Sequence, residues 1–471
     1  MTFTRKEWHI LSTVCLSMFL IPMNITSSSV IMLSLMKEYR LTYQESQWFI
    51  NVFMVLYASF LPITGRLSDL FGRKRTFFIG LCLFFMGFVL GTLIESYQNI
   101  VISRGLCGIG AAAVTTSATS LLSTNIAEKN RKFSFSIFGT FLGVSMIVGP
   151  FLSSLLNDYS NGWIIYSTIN LVILIPLLIS SLFILERSKR ESRAFDFCGS
   201  VLLTVVIFSL VSVASFFPVW GWDIKTKSIC LLLSACLPLL FFAERKAVNP
   251  IVDLKLLSNK EFSSMSIISL LLGGGYISLM MYIPYILNKV TSLSAAQVGT
   301  VVMMSTLPSL MFPPLISKFR AQVNDNVLVA VTLMCLVISP LYLLAVISDA
   351  SFVQLCFAMF FLGCSFGVSL SYLDGIAVSS VELEKSGLAA GTFNTFRIGG
   401  ESIFIPLVSS FTAVFISKNV GIDIFYNERS EEFLSDKLQV LSSFSLILVI
   451  TSLICFISSI PIMNRYRKLK S

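Results

Sequence analysis

Fourteen stretches of this chain are long, apolar and nearly free of charge, and no water-soluble fold can hide that many. They fall near 10–36, 46–65, 76–94, 98–123, 134–156, 162–185, 197–217, 226–243, 262–287, 295–316, 327–347, 352–380, 388–416 and 438–462. An α-helix rises 1.5 Å per residue, so about twenty apolar residues cross a hydrocarbon layer of about 30 Å. Lipid offers no hydrogen bonds, so a spanning segment must satisfy its own backbone, which leaves helices and closed barrels. These runs are continuously apolar rather than alternating, and the expected class is therefore an all-α membrane protein with fourteen transmembrane helices. With 55% apolar and 13% charged residues among 471, and a mean hydropathy of +0.84, little chain is left for a soluble domain. The first run is too long for a signal-peptide core and lacks an obvious small-x-small cleavage site, so it is expected to be retained as a span.

The formal charge of +9 invites a nucleic-acid reading. Its distribution argues otherwise. When loops are assigned alternately from a cytoplasmic N-terminus, most of the 34 Lys and Arg residues fall inside, which is the bias that orients membrane proteins. Both termini are then cytoplasmic, and the partners are a lipid bilayer and not a nucleic acid. The 10 cysteines lie in apolar runs without a Cys-x-x-Cys pair, and the single histidine, His9, cannot build a metal site. No G-x-x-x-x-G-K-[ST] loop for nucleotide binding occurs. No metal, cofactor or enzymatic activity is expected.

Residues 65–76, between the second and third runs, hold Gly65, Arg66, Asp69, Gly72, Arg73, Lys74 and Arg75. So tight a connection makes its two helices antiparallel neighbours, and the basic residues fix that end to the cytoplasm. The glycines permit a sharp turn or close approach, and Asp69 can pair with the basic cluster. The pattern resembles the G-x-L-a-D-x-x-G-R-K loop of the major facilitator superfamily. Arg104, followed by Gly105, Gly108, Gly110 and three alanines, is similar to that family's fourth-helix arginine motif, implicated in proton coupling. Gly149-Pro150 in the fifth run resembles the family's antiporter motif, with Ser153-Ser154 replacing its closing glycines. Four further stretches resemble the fourteen-span drug:proton antiporters, the EmrB/QacA-like branch: 163–176, 195–199, 249–262 and 387–397. The resemblance implies a bundle of six helices over 1–186, a two-helix insert over 187–253 and a second six-helix bundle over 254–471, with substrate held between the bundles.

Two departures carry chemical meaning. The branch typically places an acid in its first span; here the equivalent residues are Asn24 and Thr26, which hydrogen-bond but do not titrate. Glu401 stands where the family usually has glycine, four residues after Arg397 and so on the same helix face. Asp374 lies at a similar depth. Burial and a second acid favour a protonated carboxyl, an arginine the ionised one. Arg104, Asp374, Arg397 and Glu401 are therefore the candidate proton-coupling residues, because idle intramembrane charge is costly. A static Arg397–Glu401 pair is the bland alternative. Asn24, Thr26, Tyr57, Tyr276 and Tyr282 are candidate substrate-binding residues, and Gly65, Asp69, Gly72, Arg73, Gly149 and Pro150 the candidate gating positions.

Together these features imply proton-coupled export of lipophilic or amphipathic small molecules such as drugs, across the cytoplasmic (inner) membrane of a bacterium. A dedicated exporter of one endogenous product (a siderophore, antibiotic or lipid) is the alternative on the same fold. Protons and a small-molecule substrate are the implied partners of a chain expected to function as a monomer. An adaptor protein and an outer-membrane channel stay open as further partners.

Overall fold

The computed structural model describes residues 3–41, 43–93, 96–156, 161–184, 196–247, 254–291, 293, 295–319, 325–346, 351–379, 381, 392–393, 396–401 and 403–405. Among these, every regular element is a helix: α1 (Arg5–Tyr39), α2 (Tyr43–Phe71), α3 (Arg73–Leu93), α4 (Tyr97–Asn125), α5 (Glu128–Leu156), α6 (Gly162–Leu182), α7 (Phe197–Trp220), α8 (Ile224–Lys246), α9 (Leu254–Ser258), α10 (Lys260–Val290), α11 (Ala295–Phe319), α12 (Asp325–Val346) and α13 (Phe352–Ser379). Residues 396–401 and 403–405 add short helical pieces. Nine of the described helices are long and apolar enough to cross a membrane, and α7, α11 and α12 carry shorter apolar stretches. The first twelve apolar runs coincide with these helices. The last run, most of the thirteenth, and the stretches at 185–195 and 248–253 lie outside the described residues.

Helix ends follow capping chemistry. Thr4 accepts from the Glu7 backbone N–H at 3.2 Å while the Glu7 carboxylate accepts from the Thr4 N–H at 2.9 Å, a reciprocal capping box. The other Glu7 oxygen accepts from Ala127 N–H at 2.8 Å, stapling the start of α1 to the α4–α5 corner. Asp196 caps α7 through the Gly199 N–H at 2.8 Å.

The expected 65–76 loop is much shorter than its charges suggest. α2 continues to Phe71 and α3 opens at Arg73, so the turn is made at Gly72 alone. Gly72 has φ +98°, a conformation a side chain would resist, which is why one residue suffices.

The chain divides into two compact units, 1–253 and 254–471. In the first, α3 packs on α4, α2 on α4, and α1 on α5. The α1–α5 seam is close because Gly149 lacks a side chain: a Cβ there would meet the Met23 carbonyl oxygen at 2.5 Å and also crowd Thr26. α7 docks on α2 through rings, with Trp48 stacked on Phe216 at 4.1 Å and Phe216 on Trp220 at 4.8 Å. α8 packs on α7 and leaves most of its apolar surface open. In the second unit α13 is the hub, contacted by α10, α11 and α12. Tyr276 of α10 stacks on Phe366 of α13 at 4.3 Å, with the rings within 2° of parallel.

Candidate functional site

In the first unit α4 carries Arg104 into the core, where the residue is 1% exposed. One guanidinium nitrogen donates to the Ser28 hydroxyl at 2.7 Å and Nε donates to the Phe49 carbonyl at 3.3 Å. Phe49 and Phe53, one turn apart on α2, present their rings to the same guanidinium, with centroids 4.7 and 4.4 Å away. These contacts suit arginine, whose flat, weakly hydrated cation stacks on rings and donates in its plane. Among the described residues no carboxylate pairs with it.

The α1 residues beside this charge are neutral. The Ser28 hydroxyl donates to the Asn24 carbonyl at 2.6 Å. Asn24 Nδ2 donates to Asn170 Oδ1 at 2.9 Å and to the Leu20 carbonyl at 2.8 Å. Asn170 in turn donates to the Tyr166 carbonyl at 2.9 Å, and the Tyr166 phenol shares a 2.7 Å bond with Ser27. Asn24 Oδ1 is buried and has no partner among the described residues. The result is a buried network of hydroxyls and amides joining α1, α4 and α6 around one cation. Phe49, Phe53, Tyr166 and Ser28 were not legible as its members. The four-residue spacing of Phe49 and Phe53, and of Asn24 and Ser28, is the signal that could have found them.

Other expected site residues lie in packing seams of this unit. Thr26 bonds back to the Pro22 carbonyl at 2.9 Å, on the face of α1 met by Gly149. Tyr57 shares a 3.1 Å bond with Thr115, joining α2 to α4. Gly65 is open, its nearest neighbour to a Cβ being Thr116 at 3.8 Å. Pro150 sits inside α5. Arg73 begins α3, and the adjacent Lys74 donates to the Leu182 carbonyl at 2.5 Å, so the corner at Gly72 is tied to the end of α6. The Asp69 side chain lies outside the described residues.

In the second unit Arg397 and Glu401 occupy one short helical segment and both approach Gly273 of α10. A Cβ on Gly273 would lie 2.6 Å from the Arg397 carbonyl oxygen and 3.3 Å from Glu401 Cγ. Arg397, Ser269, Leu272, Phe366, Ser369 and Phe393 line a small cleft with room for about one water molecule. Tyr276 backs its aromatic wall, stacked on Phe366 and donating its phenol to the Ser305 carbonyl at 3.2 Å. Asp374 belongs to α13, directly after the cleft residue Leu373; its side chain, like that of Tyr282, lies outside the described residues. Among the described residues no cluster of His, Cys, Asp and Glu could hold a metal ion.

A buried arginine at a small-residue stretch of α4, a one-residue turn at Gly72 and an α1–α5 seam closed on Gly149 are built features of one helical unit. Residues 14–405 match the family model described as Major Facilitator Superfamily. The chain belongs to the major facilitator superfamily. As a member it is a multi-pass membrane transporter of small molecules, not an enzyme. It is 26% identical over 386 residues to multidrug resistance protein 3 of Bacillus subtilis, spanning 80% of this chain and 74% of the relative. The tetracenomycin C resistance and export protein of Streptomyces glaucescens is 24% identical over 436 residues, 90% of this chain and 79% of the relative. The multidrug export protein EmrB of Haemophilus influenzae is 25% identical over 407 residues, 85% and 80% respectively. The superfamily fold recurs in the crystal structure of a bacterial homologue of the human lysosomal transporter Spinster, with a TM-score of 0.65 at 11% identity, covering 99% of this chain and 98% of that one. It recurs too in the human organic anion transporter MFSD10, with a TM-score of 0.61 at 15% identity, covering 94% and 99%.

Proposed function

We propose that this superfamily member exports lipophilic or amphipathic small molecules, drugs among them, across the bacterial cytoplasmic membrane in exchange for protons. The observation that carries the reading is the division of charge between the units. The first unit holds Arg104 among hydroxyls, amides and rings, with Asn24 where an acid would titrate. The second places a carboxylate, Glu401, against Gly273 and one helical turn from Arg397, which lines a cleft. Proton uptake and release thus fall to Glu401, with Asp374 as the second acid. One proton moving inward through 100 mV releases about 2.3 kcal/mol, enough to favour export about fifty-fold.

Similarity to multidrug resistance and export proteins supports a drug-class cargo, and the inside bias of Lys and Arg supports fourteen spans with both termini cytoplasmic. On this reading two six-helix bundles flank the α7–α8 insert, and the chain works as a monomer. An adaptor and outer-membrane channel would extend export across a second membrane. The relative named for tetracenomycin C favours a second reading, a dedicated exporter of one endogenous product.

Dye efflux from vesicles under an imposed pH gradient, run with wild type, Glu401→Gln and Asp374→Asn, tests the coupling. Gradient-driven efflux lost in Glu401→Gln supports it, and efflux unchanged in both variants removes it. Resistance to unrelated dyes and biocides on overexpression favours the broad exporter; protection against one chemical class favours the dedicated one.

A further inference from the structure

α1 leaves one strip of itself uncovered within the first unit. Arg5, Trp8, Ser12, Leu16 and Phe19 recur every three or four residues and so share one face of the helix. α4 reaches α1 from the opposite side through Ser28, and α6 from the flank through Thr13 and Asn24. Trp8 is 49% exposed and Leu16 44%, with Arg5 and Ser12 exposed and Phe19 half-buried between them. The Ser12 hydroxyl donates back to the His9 carbonyl at 3.1 Å, so the strip is apolar beyond Trp8. One turn after Phe19, Met23 is buried, because α5 crosses there on Gly149. The strip is thus closed at one end. From Trp8 to Phe19 the rise is about 16 Å, the depth of one leaflet of a hydrocarbon layer about 30 Å thick.

The open end carries charge and rings. Arg5 and Lys6 are exposed, and neither makes a hydrogen bond or ion pair among the described residues. The next residue, Glu7, does not neutralise them: it is buried, with its oxygens taken by the backbone N–H groups of Thr4 and Ala127. The Trp8 indole N–H donates to nothing among the described residues. The Phe3 ring lies 4.9 Å from that of Trp8 and 5.9 Å from that of Phe133, an exposed residue of α5. α5 itself begins Glu128-Lys129-Asn130-Arg131-Lys132, three bases to one acid. Rings settle at headgroup level, bases pair with phosphate, and an apolar strip takes an acyl chain. We propose that this face of α1 binds an anionic phospholipid, its headgroup held by Arg5, Lys6 and the Trp8 N–H and one chain lying along Leu16 and Phe19 up to the α5 crossing. A net-neutral lipid would fill the strip but leave both cations unmatched, and free phosphate would match the cations but not the strip. The leaflet, the inner one, rests on the proposed cytoplasmic N-terminus; the site itself does not.

Tryptophan quenching by brominated lipid tests the site. The purified protein is placed in phosphatidylcholine vesicles containing either dibromostearoyl phosphatidylglycerol or dibromostearoyl phosphatidylcholine, and the Trp8 signal is the difference between wild type and Trp8→Phe. Both leaflets hold the same lipid, so the readout depends on neither orientation nor transport. Trp8 should be quenched at about fivefold lower content of the anionic lipid than of the neutral one, or lower still. Arg5→Gln combined with Lys6→Gln should abolish that preference. Sodium chloride should weaken it in wild type, a check that needs no change at those positions. Arg245→Gln, which removes a base from the end of α8, should leave it intact. Equal quenching of wild type by the two lipids overturns the proposal, as does a preference that survives the loss of Arg5 and Lys6. A preference lost just as far in Arg245→Gln would mean diffuse attraction to a basic surface and overturns it too. So would inorganic phosphate abolishing the preference at an ionic strength where chloride does not, since the bases would then form a phosphate site.

Discussion

The Arg104 guanidinium donates to the Ser28 hydroxyl at 2.7 Å, and that hydroxyl in turn donates to the Asn24 carbonyl at 2.6 Å. A full positive charge in the core of the first unit is therefore held by a serine, a backbone carbonyl and two phenylalanine faces. Ser28→Ala should leave one charged donor buried without an acceptor, at a cost of about 1.5–3 kcal/mol. The expected readout is a lower melting temperature in detergent, while Ser27→Ala, which loses neutral bonds to Tyr166 and the Asn24 carbonyl, should cost about 1 kcal/mol. Equal effects of the two would mean the charge draws nothing from Ser28.

The same cation distinguishes arginine from lysine. Both rings of α2 lie within 4.7 Å of the Arg104 guanidinium, and a lysine ammonium can neither stack flat between them nor reach the Phe49 carbonyl and Ser28 together. Arg104→Lys should therefore impair folding and efflux nearly as much as Arg104→Met. If lysine restored wild-type melting and transport, charge alone would be the requirement and the stacking would be incidental.

Two glycines of α5 make opposite predictions. A methyl on Gly149 would enter the α1–α5 seam against the Met23 carbonyl at 2.5 Å, whereas one on Gly139 would meet nothing within 4 Å. Gly149→Ala should separate the two helices, lowering stability by about 1–3 kcal/mol and slowing efflux. Gly139→Ala should be neutral or stabilising by up to about 1 kcal/mol, as expected for alanine in an open helix position. Melting curves and expression of the two variants side by side decide the matter.

Trp48 packs α2 onto α7, stacked at 4.1 Å on Phe216. Trp48→Ala should cost about 3–5 kcal/mol of local packing and loosen α7, while Trp48→Phe should retain most of the contact. Protease nicking between α6 and α7, faster in the alanine variant and unchanged in the phenylalanine one, would report it.

Much of the helical framework was legible because apolarity alone decides what crosses lipid, and the first twelve runs coincide with α1–α8 and α10–α13. The 65–76 connection was not, since charged residues can finish one helix and begin the next as readily as fill a loop; only the backbone shows that Gly72 turns the chain alone. Arg104 announced itself as an expensive charge, but its partners did not. They are neutral, come from α1 and α2, and carry no charge pattern that would mark them. Tyr57 and Tyr276 illustrate the same limit: period and composition do not say which face of an all-apolar helix meets a neighbour. Both lie in seams between helices. Ser269 was invisible for the opposite reason, being one of many serines until the cleft singled it out.

The sharpest functional prediction concerns Glu401. If its carboxyl carries the proton, efflux should rise as the outside is acidified relative to the inside, because loading from outside and release inside reset the cycle. Glu401→Gln keeps the shape and one hydrogen-bond donor but cannot exchange a proton. Gradient-driven efflux should fall at least about tenfold and lose its dependence on the imposed pH difference, while equilibrium binding of the dye persists; a tenfold loss corresponds to about 1.4 kcal/mol. Glu401→Asp, which retains a carboxyl on a shorter stem, should keep the pH dependence at reduced rate. A pH response intact in Glu401→Gln and abolished in Asp374→Asn would move the carrier one helix away, to α13. A response intact in both would mean that neither acid turns the transporter over, and the Arg397–Glu401 pair would then be structural.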